Sequence, residues 1–544
     1  MKKIIIITVL LLITTIILAA LYFSNLFLDN RNSNKVLGYI PDDTALVLQF
    51  TNDNSFYEIF KDYSLFNKII GKTRENELFI LKSSFLKNTL VSPLADQQKM
   101  FLSFHTEKDS VQFLWLTMLN DKVDLADLKS NPGNKFKIIS DSLTTGNHLL
   151  EIVLPGQANP FFVFIDGAVV IGSFSKSLLL KSINAKHAKI SENYIKEIGD
   201  LSIKNQNSLI NLYFNLGTFK EYLAGFFKGK TNGNFQLLDN VKGVSTLNLN
   251  FKSDALMFNG ISNPDTSSSG YLSLFLHQKP IKNTLMRIVP ESTSNYLMFG
   301  LSDYQQFTSD LRKLLKKRKH YDQLAKQMQE IADENGISPE RDIKELWGNE
   351  FITFQLSNHE KFAAIKVSNG RQLDFYLEPL SKPSIEAIRQ INYPELFYFY
   401  FGDALKSFKR PYYFIADNTI FIANSSGALK RFNNQYGADR FLYKTSAFRA
   451  FEQLVANESN VTLFIHNNNS KSIAKAELKP GFARAFMNSN YGLKDFYALS
   501  YQWSSDTHHF FTNLYIGFKP DAVQSPLAEI ADSVYTDTSE YAIH

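Results

Sequence analysis

Three serines stand three residues ahead of a lysine, in "SFLK" (84–87), "SFSK" (173–176) and "SIAK" (472–475). That spacing lets a lysine amine accept a serine proton, but the chemistry also needs a K-T-G string, and none occurs. Three matches are what a Ser- and Lys-rich chain produces by chance, so Ser173 reads as a turn or cap residue. Ten histidines include one adjacent pair, His508-His509. Neighbours on a strand face opposite ways, which makes a shared metal awkward for them. His359-Glu360 lacks the second histidine of H-E-x-x-H, and no G-x-G-x-x-G, G-x-x-x-x-G-K-[ST] or G-x-S-x-G string is present. Asp166 and Asp417 are acid/base candidates by type, yet each sits where a tight turn calls for a short polar side chain. The chain has no cysteine, which excludes disulfides, thiolate metal sites and Cys nucleophiles. No catalytic, cofactor-binding or metal-ligating residue is assigned, and no cofactor is expected.

Two segments have other physical uses. In "DLRKLLKKRKHYDQLAKQMQEIADENG" (310–336), Leu311, Leu314, Leu315, Tyr321, Leu324, Met328 and Ile331 recur at helical spacing, predicting one helix over 310–334. A basic amphipathic helix can lie on an anionic bilayer, which makes Arg312, Lys313, Lys316, Lys317 and Lys319 candidate membrane-surface contacts. The competing reading is a core helix whose solvated face is braced by pairs such as Arg318–Asp322. In "ELFYFYFGDALKSF" (395–408), Leu396, Tyr398 and Tyr400 alternate with Phe397, Phe399 and Phe401. This run reads as a strand buried on both faces, with a lipid or glycan groove as the alternative.

The elements that must position these residues are written twice. "FFVFIDGAVVIGSFSKSLLLK" (161–181) returns as "YYFIADNTIFIANSSGALKRF" (412–432), shifted by 251 residues. Four more pairs share the order at shifts of 249 to 252. They are "YIPDDTALVLQF" (39–50) with "IVPESTSNYLMF" (288–299), "KMFLSFHTEKDSVQFLWL" (99–116) with "NEFITFQLSNHEKFAAI" (349–365), "NLYFN" (211–215) with "TLFIH" (462–466), and "TLNLNFKSDALMFNG" (246–260) with "ALSYQWSSDTHHFFT" (498–512). A constant shift in constant order implies internal duplication. Alternating apolar residues about Asp166-Gly167 and Asp417-Asn418 predict a β-hairpin in each copy. Ser175 and Ser426 then stand as helix N-caps, with Leu178 and Leu429 facing the core. "ISPERDIKELWGNEF" (337–351) predicts a helix with Ser338 as N-cap, Pro339 in its first turn and Gly348 past its end. Hairpins with interspersed helices make the class α+β, two tandem copies of a largely antiparallel sheet with packed helices.

A transmembrane helix is expected ahead of them. Ile4–Phe23 carries no charge and spans about 30 Å as a helix, the thickness of a bilayer core. The expected organisation is therefore an anchor (1–27), a linker (28–37), α+β copies at 38–280 and 281–518, and a flexible tail (519–544). Residues 1–35 hold Lys2, Lys3, Arg31, Lys35 and Asp29 of the 58 basic and 53 acidic residues, leaving about +2 for the remainder. That near-balance speaks against nucleic acid, whose binders concentrate positive charge.

The strand opened by "IPDDT" and the stretch "GISPERDIKELWGNEFITF" (336–354) resemble a bacterial family of uncharacterised envelope proteins, a domain of unknown function with an N-terminal membrane segment. The resemblance implies an inner-membrane, single-pass protein with its ectodomain outside the cytoplasm, and it supplies no catalytic residues. The expected function is non-enzymatic binding or scaffolding of envelope proteins or lipid. The rivals are a carrier or sensor of an apolar ligand, and a hydrolase without a recognisable motif.

Overall fold

Runs rich in Phe, Tyr, Ile and Val fold here as strands, because such side chains pack best on a pleated surface. The computed structural model describes residues 35–53, 72–186, 198, 208–229, 240–251 and 255–519, apart from 132, 134, 268 and 488–492. They form two compact units: the described residues up to 214 without Lys72 and 106–110, and these with the described residues from 215 onward.

Unit 1 contains β1 (Leu46–Thr51), β2 (Lys99–Glu107), β3 (Ser110–Met118), β4 (Lys137–Thr144), β5 (Asn147–Val153), β6 (Phe161–Asp166), β7 (Val169–Ser173) and β8 (Ile210–Asn215). Their pairings run β4-β5-β6-β7-β3-β2-β1-β8. Helix α1 (Lys176–Ala185) follows β7, capped by Ser175, whose hydroxyl accepts from Leu178 N at 3.2 Å.

In unit 2 the strands are β9 (Gly243–Phe251), β10 (Ala255–Pro264), β11 (Ile281–Lys282), β12 (Thr293–Gly300), β13 (Trp347–Leu356), β14 (Lys361–Val367), β15 (Ser381–Pro383), β16 (Arg389–Ile391), β17 (Tyr412–Ala416), β18 (Thr419–Ala423), β19 (Glu458–Ser459), β20 (Val461–His466), β21 (Phe496–Ser505) and β22 (Phe510–Phe518). They pair as β15-β16-β17-β18-β14-β13-β12-β20-β21-β22-β10-β9, all antiparallel, with β11 and β19 as a separate pair. The eight strands of unit 1 and the first eight of unit 2 follow the same order of chain connection. The contact boundary nevertheless falls at 214/215 and not at 280/281, because β10 runs beside β22 from Ala255↔Gly517 to Ser262↔Phe510.

The fold is α+β, and the expected transmembrane helix is corrected. No helix among the described residues is long and apolar enough to cross a membrane. Residues 4–23, on which that expectation rested, lie outside the described residues, as do residues 54–71 and 520–544. Four local readings also change. Residues 395–401 form no strand: Leu396–Phe401 is a helix, α4, preceded by Glu395 at φ +61°. It buries Leu396, Phe397, Tyr398, Tyr400 and Phe401, so burial on both sides of an alternation does not separate strand from helix. The expected helix after Ser338 is a π turn (Pro339–Ile343) and a 3₁₀ turn (Lys344–Leu346), and Gly348 lies inside β13. A Cβ there would stand 2.8 Å from Lys366 O, across a register shift in the β13–β14 pair.

The other two changes are slips of one residue. Asp166↔Val169 and Ala416↔Thr419 close the hairpins, so Gly167-Ala168 occupies the turn that Asp417-Asn418 occupies in unit 2. Gly167 alone has positive φ in the first turn, whereas Asp417 and Asn418 both do in the second. Helix α5 (Ser426–Gly437) is capped by Ser425, which accepts from Ala428 N at 3.3 Å, and not by Ser426.

Candidate functional site

The basic segment is two helices, α2 (Tyr304–Lys317) and α3 (Tyr321–Asn335). Between them Lys319 takes φ +60°, and the preceding residue turns its side chain inward. Arg318 Nη1 lies 2.8 Å from both carboxylate oxygens of Asp403, and its Nε donates to Ser269 O at 3.1 Å. Both side chains are nearly buried, at 12% and 8% exposure. Tyr271, two residues beyond Ser269, donates its hydroxyl to Phe401 O. The basic segment, the loop after β10 and the aromatic helix therefore meet at one guanidinium. Burial, and then the charge of Asp403, hold the Tyr271 hydroxyl well above its ordinary pKa.

Beside this clasp, a cavity of about 180 Å³ opens on the sheet. Side chains alternate along β12, and Asn295, Leu297 and Phe299 face it. Leu463 and Ile465 of β20 join them, with Tyr271, Asp403, Ala404 and Phe408 on one wall. The opposite wall is Ile473 and Ala474 of α6 (Lys471–Glu477) and Phe486 of α7 (Pro480–Met487). That wall is pinned through its backbone: Lys228 N donates to Glu477 O at 2.8 Å, and Lys479 N to Phe226 O at 2.9 Å. Lys228 Nζ reaches the Lys475 and Ala476 carbonyls, a cation placed at a helix C-terminus. The polar lining includes Gln355, which pairs across the ladder with exposed Lys361, and Asp403. The lining is thus largely aliphatic and aromatic, continuous with the buried cluster of Tyr271, Leu297, Phe299 and Phe408.

The residues singled out by type scatter. Ser173 is fully buried, donates to Phe113 O and accepts from Ser175 N. Asp166 accepts from Tyr39 and from Lys186, at 2.5 Å from the latter, and these two hydrogen bonds hold its carboxyl below the usual range. Asp417 accepts from Tyr436 at 2.9 Å. All three support turns or helix starts. His508 and His509 fall in the loop between β21 and β22, not on a strand, and His509 Nε2 lies 3.6 Å from Asp506. Among the membrane-surface candidates, Arg312 pairs with Glu340 at 3.0 Å and Lys313 with Asp310 at 2.9 Å. Lys316 stands 5.0 Å over the Tyr321 ring, and Lys317 donates to Ser267 O. Sequence reasoning missed Arg318–Asp403, for 85 residues separate the partners and no spacing rule connects them.

No protein-family model and no curated protein matches the chain. Among solved structures, "Structure of crystal form III of TP0453" aligns at 12% identity over 46% of this chain and 89% of that one, with a TM-score of 0.25, a likeness too slight to carry fold or function across.

Proposed function

We propose that this chain is a non-enzymatic binding protein that holds a small apolar group in the cavity beside Arg318–Asp403. What supports the reading is the lining: Leu297, Phe299, Leu463, Ile465, Phe408, Ile473 and Phe486 surround about 180 Å³. Apolar voids of roughly 150 Å³ hold one benzene ring, so the site suits a ring or a short aliphatic segment. By the family resemblance, that group belongs to an envelope constituent. Internal duplication is part of the reading and is supported by the matching strand orders of the two units; the cavity would then take Phe227 and Tyr271 from the first copy and the rest of its lining from the second.

The test uses the full chain. Native mass spectrometry after gentle extraction should find a stoichiometric apolar adduct, and toluene should bind saturably by calorimetry. Ala474 faces the cavity from α6, so Ala474→Trp should fill it and abolish both signals. Absence of both signals in the parent, or their survival in the variant, removes the proposal.

A further inference from the structure

We propose that the opposite face of the same sheet carries a second site, for an anionic small molecule bearing hydroxyl groups. Where Leu297 and Phe299 face the apolar cavity, the alternate residues Tyr296 and Met298 face a separate cavity of about 940 Å³. That volume lies at the upper end of the range for small-molecule sites, roughly 300–1,000 Å³. Its floor includes Thr462 of β20 with Ser500 and Gln502 of β21, and its walls are residues 282–287 on one side and 448–457 on the other.

Charge and hydrogen-bonding capacity define the occupant. Lys282, Arg287 and Lys366 line the cavity, against Glu452 as the single carboxylate of the lining. Lys366 is engaged, 3.3 Å from Glu350, which also accepts from the backbone of Thr284 and Leu285. Among the described residues neither Lys282 nor Arg287 has a carboxylate within ion-pair distance. Arg287 lies 5.8 Å over the Tyr443 ring, and Glu458, opposite Lys282 in the β11–β19 pair, makes no ion pair with it. Two unneutralised cations at one concave surface favour an anion.

On the floor, Gln502 is engaged by Ala456, accepting from its N–H and donating to its carbonyl, each at 2.9 Å. The Ser459 and Thr462 hydroxyls hydrogen-bond at 2.7 Å, and Asn283 Nδ2 donates to Ser459. Asn283 differs at its other amide atom: Oδ1 is buried with no hydrogen-bond partner among the described residues, and Ser500 lines the cavity beside it. A buried acceptor is costly to leave unpaired, and a ligand hydroxyl donating to it completes it. The anion therefore sits toward Lys282 and Arg287, and its hydroxyl-bearing part against Asn283 and Ser500.

Calorimetric titration of the full chain with glucose 6-phosphate, citrate and inorganic phosphate tests this. A 1:1 isotherm is expected for glucose 6-phosphate or citrate, at least tenfold tighter than for inorganic phosphate. Lys282→Gln with Arg287→Gln, both on the rim, should weaken it at least tenfold with unchanged thermal unfolding. Ser500→Ala should weaken the hydroxylated probe and leave inorganic phosphate unaffected. Ala474→Trp should leave all of this unchanged, which separates the site from the apolar cavity. Silence from all three probes, equal affinity for inorganic phosphate, or undiminished binding in the double variant overturns the proposal.

Discussion

Two sites carry risk out of proportion to their size. Arg318 and Asp403 neutralise each other where neither is well solvated, and removing one leaves a buried charge unpaired, a loss of about 3–5 kcal/mol. Arg318→Leu should therefore lower the denaturant midpoint sharply, and adding Asp403→Leu should recover much of the loss. If the double variant is as unstable as the single, the stranded carboxylate is not the cause. His466 is the second. Burial lowers its pKa from 6.5 to about 4, and its Nδ1 accepts from Asn469 N at 3.1 Å, an interaction only the ring with an unprotonated Nδ1 makes. The folded pKa is depressed, so the unfolded chain binds the extra proton first. Stability from this group is complete above about pH 6.5 and declines as pH falls toward 4. Between pH 7 and pH 5 the loss should be about 2 kcal/mol. Urea unfolding of the parent and of His466→Gln at both pH values should show that difference shrinking in the variant; equal pH slopes in the two proteins would refute the assignment.

At the scale of elements, the β17–β18 hairpin shows why a turn residue is more than a turn residue. Asn418 adopts φ +52°, which asparagine tolerates, and its Oδ1 also accepts from Gly370 N at 2.9 Å. Glycine retains the first property and loses the second, whereas alanine loses both. Asn418→Gly should cost about 1 kcal/mol and Asn418→Ala about 2, read from urea midpoints; a cost-free Asn418→Gly would mean that the hydrogen bond contributes nothing, and the reverse order that the positive φ does not matter. This hairpin was legible in the sequence because alternation over ten residues around two turn formers has few other solutions. Its neighbourhood was legible only to within one residue: adjacent Ser425 and Ser426 send the same capping signal, and only the hydrogen bond to Ala428 N distinguishes them. Residues 396–401 were misread because an element buried on both sides offers no polar face to set its period. The apolar cavity was beyond reach for a different reason. Its walls come from β12, β20, α6 and α7, and the Arg318–Asp403 clasp beside it depends on a break after Lys317 that the helical pattern runs straight through.

For the molecule as a whole, the sequence repeat and the contact map divide the chain at different places, and the difference can be measured. Cutting at 280/281 follows the repeat and frees the edge of β22, whose eight residues from Phe510 to Gly517 pair with β10. That edge would expose backbone donors and acceptors along a long, largely apolar strand, a template for pairing with other chains. Cutting at 214/215 keeps β9 and β10 in place. It also preserves hydroxyl contacts that fix their register: Ser245 with Ser262 at 2.6 Å, and Ser262 with Thr512 at 2.7 Å, all three residues fully buried. Losing β10 would leave Thr512 without Ser262 and strip one side of β22 of its ladder, and the shorter fragment also loses Tyr271, Leu272, Leu274 and Phe275 from the cluster around Phe299 and Phe351. A fragment of residues 215–519 should therefore unfold in one cooperative urea transition and sediment as a monomer. Residues 281–519 should unfold at lower urea and self-associate with rising concentration. If the shorter fragment proves as stable and as monomeric as the longer, β9 and β10 are appendages of unit 2, and the repeat boundary is the true folding boundary.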